Sequence, residues 1–120
     1  SKLDPSIRRM ALKIFEGAES EKRSSAVPIE VVFADLSFGE KNDIYIEKAI
    51  ELGERVLKKA LKDANLKATD IDFLITTSCT GFMIPSLDAH LVDRLGFRTD
   101  INRLPVTEMG CAGGTSALIY

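Results

Sequence analysis

Between Asn42 and Ala64 the residues Ile46, Ala49, Ile50, Gly53, Val56, Leu57, Ala60, Leu61 and Ala64 recur three and four apart. Glu47, Lys48, Glu51, Glu54, Lys58, Lys59 and Lys62 fall between them. A pattern of that length predicts one long amphipathic helix, and its apolar stripe must be covered by other elements. Asn42 or Asp43 is placed to cap the first turn, and acidic residues precede basic ones in the sense that suits the helix dipole. The charges on the opposite side read as a solvated face rather than a binding patch.

The segments around this helix supply the cover. "DIDFLITTSC", residues 70–79, reads as a turn running into a buried strand centred on Phe73, Leu74 and Ile75. "SLDAHLVDRLGF", 86–97, predicts a second amphipathic helix carrying Leu87, Leu91, Val92 and Leu95 and stopped by Gly96. "RLPVTEM", 103–109, offers another short strand, and a helix begins near Cys111. Upstream, "DPSIRRMALKIF", 4–15, has helical spacing with Pro5 in its first turn, 17–28 reads as loop, and "IEVVF", 29–33, as either a short strand or buried loop. Strands alternating with helices predict an α/β layered domain, and 120 residues suffice for one compact domain, 1–120.

Composition narrows the partners. A formal net charge of −2 gives no reason to expect nucleic acid or a membrane surface. No apolar run approaches the roughly 20 residues that span a bilayer. "SKLDPSIRRMALK" lacks the apolar stretch of a signal peptide, so a cytoplasmic location is expected. With two cysteines and His90 as the single histidine, a structural disulfide or a four-ligand zinc site is not expected, and Cys79 and Cys111 are left as free thiols. His90, without a visible partner, reads as a surface or packing residue of its helix.

"MGCAGGTSAL", 109–118, sets Cys111 among glycines just after a predicted strand. Free N–H groups at a helix start stabilise negative charge, favouring a thiolate and holding the oxyanion of a thioester intermediate. Gly110, Gly113 and Gly114 let a substrate or a neighbouring backbone come close. On the residues alone, Cys111 reads equally as a nucleophile or as a buried structural cysteine.

The stretch from "TTSCTGFMIPS" through "LGFRTDINRLP" to "MGCAGG" resembles the type III polyketide synthases, the chalcone synthase-like family, in its bacterial branch. Looser similarity runs upstream through "FGEKNDIYIEKAIELGERVLKKAL". The resemblance implies the N-terminal part of a thiolase fold, a layered α-β-α architecture, incomplete in this chain. It also implies a homodimer that uses acyl-CoA and malonyl-CoA directly, with CoA thioesters as substrates and no cofactor. Cys111 matches the nucleophile of an acyltransferase that extends its acyl group by decarboxylative Claisen condensation to an aromatic polyketide or pyrone.

Cys79 matches a cavity-lining position, and resembles bacterial members that build 1,3,6,8-tetrahydroxynaphthalene from malonyl-CoA alone. Its alternative role is simply to line the pocket. Thr80 and Gly81 flank the same loop. Ile84 and Pro85 match a cis-linked pair whose first residue reaches into the partner's cavity. The basic residues Arg8, Arg9, Lys13, Lys22 and Arg23 do not align individually with CoA-phosphate contacts.

The His and Asn of the family's condensing machinery lie far downstream of the nucleophile, and His90 does not match that His. The chain therefore reads as a fragment of about a third of a family member, inactive alone. The rivals are a thiolase-fold ketoacyl-carrier-protein synthase relative and a non-catalytic, truncated acyl-CoA-binding paralogue.

Overall fold

A computed structural model describes residues 4–18, 22 and 24–120. Contacts group the chain into two units, 1–34 and 35–120. In the first, α1 (Pro5–Gly17) starts where the sequence predicts. Asp4 accepts a 2.8 Å hydrogen bond from the Ser6 N–H, and Pro5 occupies the first turn. Ile7, Met10 and Ile14 are exposed along it.

The strand or buried loop expected at 29–33 is instead a single helical turn, α2 (Ile29–Val32). Pro28 caps it, its carbonyl accepting from Val31 N–H at 3.0 Å and Val32 N–H at 3.3 Å. A β-branched run makes a strand only where a neighbour completes the ladder. Among the described residues the sheet holds two strands, and neither includes this segment.

The second unit opens on α3 (Phe38–Ala64). Its N-cap is Ser37, not Asn42 or Asp43. The Glu40 N–H donates to Ser37 Oγ at 3.3 Å, and Glu40 Oε2 accepts from the Ser37 N–H at 2.8 Å, closing a capping box. The Ser37 hydroxyl, donating to Glu40 Oε2 at 2.6 Å, and then the Ser37 N–H hold the Glu40 carboxyl below its ordinary range.

A 3₁₀ turn, Ala68–Asp70, leads into β1 (Phe73–Ser78). α4 (Leu87–Leu95) follows and ends at Gly96, whose φ of +66° sets the left-handed C-cap. β2 (Asn102–Thr107) then lies parallel to β1, with Phe73 opposite Asn102 and Ser78 opposite Thr107. The β1–α4–β2 unit is the crossover that parallel strands require. Pro105 of β2 stands opposite Thr76 of β1.

Leu74, Leu91, Phe97 and Ile101 form the buried centre, with Leu57 and Leu61 of α3 packed against it. Gly53 lets α3 approach α4: a Cβ there would lie 3.1 Å from Leu91 Cδ1. The buried polar residue is Asp88, in the first turn of α4 and 1% exposed. Its Oδ2 accepts from Arg103 Nη1 of β2 at 3.1 Å, and its Oδ1 from Thr76 Oγ1 of β1 at 3.5 Å. One carboxylate thus ties the helix to both strands. Among the described residues, no helix is long and apolar enough to cross a membrane.

Candidate active site

Because β1 and β2 are parallel and end level at Ser78 and Thr107, the segments beyond them leave the same edge of the sheet. Open α/β sheets build ligand sites at that edge. One exit carries "CTGFMIPS", the other "EMGCAGG".

On the second exit the chain turns sharply. Glu108 has φ +63° and Gly110 φ +52°, both left-handed. Glycine adopts this conformation freely, whereas Glu108 holds it at a cost of about 1–2 kcal/mol. Left-handed backbone at a non-glycine residue clusters at functional sites.

Cys111 then lies in a 3₁₀ turn, Gly110–Ala112, and α5 (Gly113–Ala117) begins two residues later than the predicted helix start. Six glycine-interrupted residues close as a tight turn before they can open an α-helix, so Cys111 is placed by the turn rather than by a long helix. Gly113 then passes so near β1 that a Cβ on it would overlap Thr77 Oγ1. Both Cys111 and Cys79 are free and exposed in this chain.

The first exit forms a cleft of about 250 Å³. Cys79, Thr80, Gly81, Phe82, Met83 and Ile84 line it on one side, and Thr107 and Glu108 on the other. Four of the predicted binding residues, Cys79, Thr80, Gly81 and Ile84, are therefore brought together. Pro85 and Cys111 do not line this cleft; Cys111 stands on the turn that begins at its wall residue Glu108. The Ile84–Pro85 peptide is cis, as the resemblance implies, and the Ile84 side chain is 100% exposed.

Residues that the sequence reading left out hold the cleft. Asn42 Nδ2 donates to the Phe82 carbonyl at 3.0 Å, and its Oδ1 accepts from the Phe82 N–H at 2.8 Å. Tyr45 Oη donates to Ser78 Oγ at 2.7 Å, at the point where β1 ends. The Phe38 and Phe82 rings pack at 6.1 Å. The helical spacing of 38, 42 and 45 placed these residues on one face of α3, but which loop that face meets is a tertiary fact.

His90 is half-buried on α4 and no hydrogen bond joins it to either thiol. Of the basic residues near the N-terminus, Arg8, Arg9, Lys13 and Lys22 are exposed, and Arg23 lies outside the described residues. A larger open groove, about 570 Å³, runs along α3 beside Arg94. There Glu54 pairs with Lys58 at 2.6 Å and Arg94 at 3.2 Å, and these bonds, Lys58 first, hold its carboxyl below the ordinary range. No nucleophile lines it. Among the described residues, no group of three or more His, Cys, Asp and Glu stands together as metal ligands would.

Residues 27–120 match the family of chalcone and stilbene synthases, N-terminal domain. The chain is 40% identical over 117 residues to a 1,3,6,8-tetrahydroxynaphthalene synthase of Streptomyces peucetius subsp. caesius, covering 97% of this chain and 31% of that protein. It is 34% identical over 112 residues to a phloroglucinol synthase of Pseudomonas fluorescens, covering 92% of this chain and 32% of that one. The crystal structure of the 1,3,6,8-tetrahydroxynaphthalene synthase of Streptomyces coelicolor, a bacterial type III polyketide synthase, superposes with a TM-score of 0.83. That match has 37% identity and covers 97% of this chain and 33% of the other. The chain thus spans about a third of the length of the relatives it matches.

Proposed function

The chain belongs to the chalcone and stilbene synthase family, with the thiolase-type fold of the type III polyketide synthases, and from that premise we propose the reaction its site serves. The chain is the N-terminal segment of an acyltransferase. The Cys111 thiolate attacks the carbonyl of an acyl-CoA; the thioester C–S bond breaks and CoA leaves as its thiolate, so the acyl group rests on Sγ. Malonyl-CoA loses CO₂, and the electron pair of the broken C–C bond becomes the enolate of acetyl-CoA. That carbanion attacks the acyl carbon, a C–C bond forms, and the Cys111 thiolate departs, leaving a chain two carbons longer on CoA. Repetition and cyclisation give an aromatic polyketide or pyrone.

One observation supports this reading above the others. The parallel strands deliver the "CTGF" cleft and the Cys111 turn to one edge, the turn starting two residues after the cleft residue Glu108. On this reading the cleft at that edge receives the acyl chain that grows on Sγ. Cys79 lines that cleft, so a second thiol stands where an intermediate would pass. The full exposure of Ile84 suits a side chain that enters a partner's cavity, and on that ground the working enzyme is a homodimer.

The test is to incubate the full polypeptide carrying this segment with malonyl-CoA as sole substrate and to identify products by mass spectrometry. A naphthalene or its quinone, abolished in Cys111→Ala and altered in Cys79→Ser, is the expected result. Pyrones formed only from a long acyl-CoA starter would keep the reaction class and discard the naphthalene product. Turnover that requires an acyl-carrier protein would favour the ketoacyl-carrier-protein synthase reading, and acyl-CoA binding without turnover the non-catalytic one.

A further inference from the structure

The wall of the cleft has almost no support of its own. From Gly81 to Pro85 the backbone makes no hydrogen bond to other backbone among the described residues. The loop is anchored from α3 instead. The Asn42 amide meets the Phe82 peptide with donor to acceptor and acceptor to donor, at 3.0 and 2.8 Å, as a neighbouring strand would. Asparagine is suited to this. Aspartate lacks the donor and alanine lacks both groups.

Two features hold the loop in register with that amide. Gly81 passes so close to α3 that a Cβ would lie 2.7 Å from Asn42 Oδ1 and overlap the Tyr45 ring. Phe82 packs its ring on Phe38, one helical turn before Asn42. The loop's position, and with it the separation of Phe82, Met83 and Ile84 from Thr107 and Glu108, is therefore set by α3.

We propose that Asn42 is a positioning residue that sets the width of the cleft beside Cys79 through the Phe82 backbone, and thereby selects the length of acyl chain the enzyme accepts. This rests on the cleft being the acyl cavity of the reaction above. Asn42 touches no reacting atom; it acts through the loop. Releasing the loop widens the cleft and admits longer acyl chains, while the Cys111 turn, carried on β2, stays as it was.

The test uses the full polypeptide, with Asn42→Ala and Asn42→Asp beside the parent. One readout is the ratio of kcat/KM for long against short acyl-CoA starters. The other is the rate of iodoacetamide alkylation at Cys79 and at Cys111, mapped by mass spectrometry. In Asn42→Ala, which loses both hydrogen bonds to Phe82, Cys79 is expected to react about thirtyfold faster, and in Asn42→Asp, which loses one, about fivefold. Cys111 is expected to react at the parent rate, and starter preference to move toward longer chains, with Asn42→Asp intermediate.

An unchanged starter ratio with an unchanged Cys79 rate overturns the proposal. So does a uniform fall for all starters with both cysteines accelerated alike, which would mark Asn42 as merely structural. If Asn42→Ala does not fold, Asn42→Asp decides by the same criteria. If the parent turns over no acyl-CoA, the reaction assigned above has failed. The alkylation ratio then decides separately whether Asn42 holds the loop.

Discussion

Replacing Gly113 by alanine sets two effects against each other, and the structure says which prevails. Gly113 is helical, with φ −55°, so the backbone accepts alanine, and the gain in helix propensity is about 0.5–1 kcal/mol. The new methyl, however, overlaps Thr77 Oγ1, and Gly113 is buried against β1. Overpacking of this kind costs about 1–3 kcal/mol. The net expectation is a loss of about 1–2 kcal/mol. It should be recovered in part by Thr77→Ala, which removes the clashing oxygen.

The assay is a double-mutant cycle on the full polypeptide, read by thermal and denaturant unfolding, with the Cys111 alkylation rate as a local probe. Coupling well beyond the ~0.3–0.5 kcal/mol within which independent sites add is predicted. Gly114→Ala is the internal control. A Cβ there meets nothing within 4 Å, so the variant is expected to be neutral or more stable. If Gly113→Ala is as stable as the parent, or its loss is the same with and without Thr77, the close approach of α5 to β1 does not hold the Cys111 turn.

Asp88→Ala removes the carboxylate that joins α4 to both strands. Because Arg103 is partly exposed and can turn to water, the expected loss is about 1–3 kcal/mol, below that of a fully buried pair, as read by the unfolding midpoint. Leu91→Ala opens a cavity at the most buried apolar side chain, 2% exposed. A loss of about 2–5 kcal/mol is expected in the same measurement. The capping box gives a pH dependence: the Glu40 carboxyl is depressed in the folded state, so its contribution is present above the ordinary carboxylate range and is lost as pH falls through the lowered folded value. Amide protection factors at the start of α3, taken against the intrinsic exchange rate at each pH, should fall in that acidic window in the parent, and Glu40→Gln should flatten the difference.

The helices and strands with strong periodicity were legible because burial imposes their pattern. The body of α3, with α4 and β1, stands where Leu57, Leu61, Leu74 and Leu91 put it. The start of α3 was misplaced although the signal was present. Ser37 and Glu40 form a capping-box pattern, but the apolar repeat starts only at Ile46 and places the boundary at Asn42 or Asp43. The run at 29–33 failed for a different reason, since strand propensity carries no information on whether a neighbour exists.

At the site, the residues of "CTGFMIPS" and the turn at Gly110 could be named from the sequence. Their meeting at Glu108, the left-handed backbone there and the contact of Gly113 with Thr77 could not. Those depend on which strand edge the two loops share. The same holds for Asn42: one residue can cap a helix or clamp a loop, and the choice is made by what packs against it.

The most direct test of the account is to trap the loaded enzyme. The full polypeptide is mixed with an acyl-CoA starter in the absence of malonyl-CoA, quenched in acid and digested, and the mass of the peptide holding residues 109–118 is measured. The account predicts an increment of one acyl group on Cys111, hydroxylamine-labile as a thioester, absent from the Cys79 peptide at early times and absent in Cys111→Ala. An acyl group found first on Cys79, or full turnover by Cys111→Ala, would contradict it.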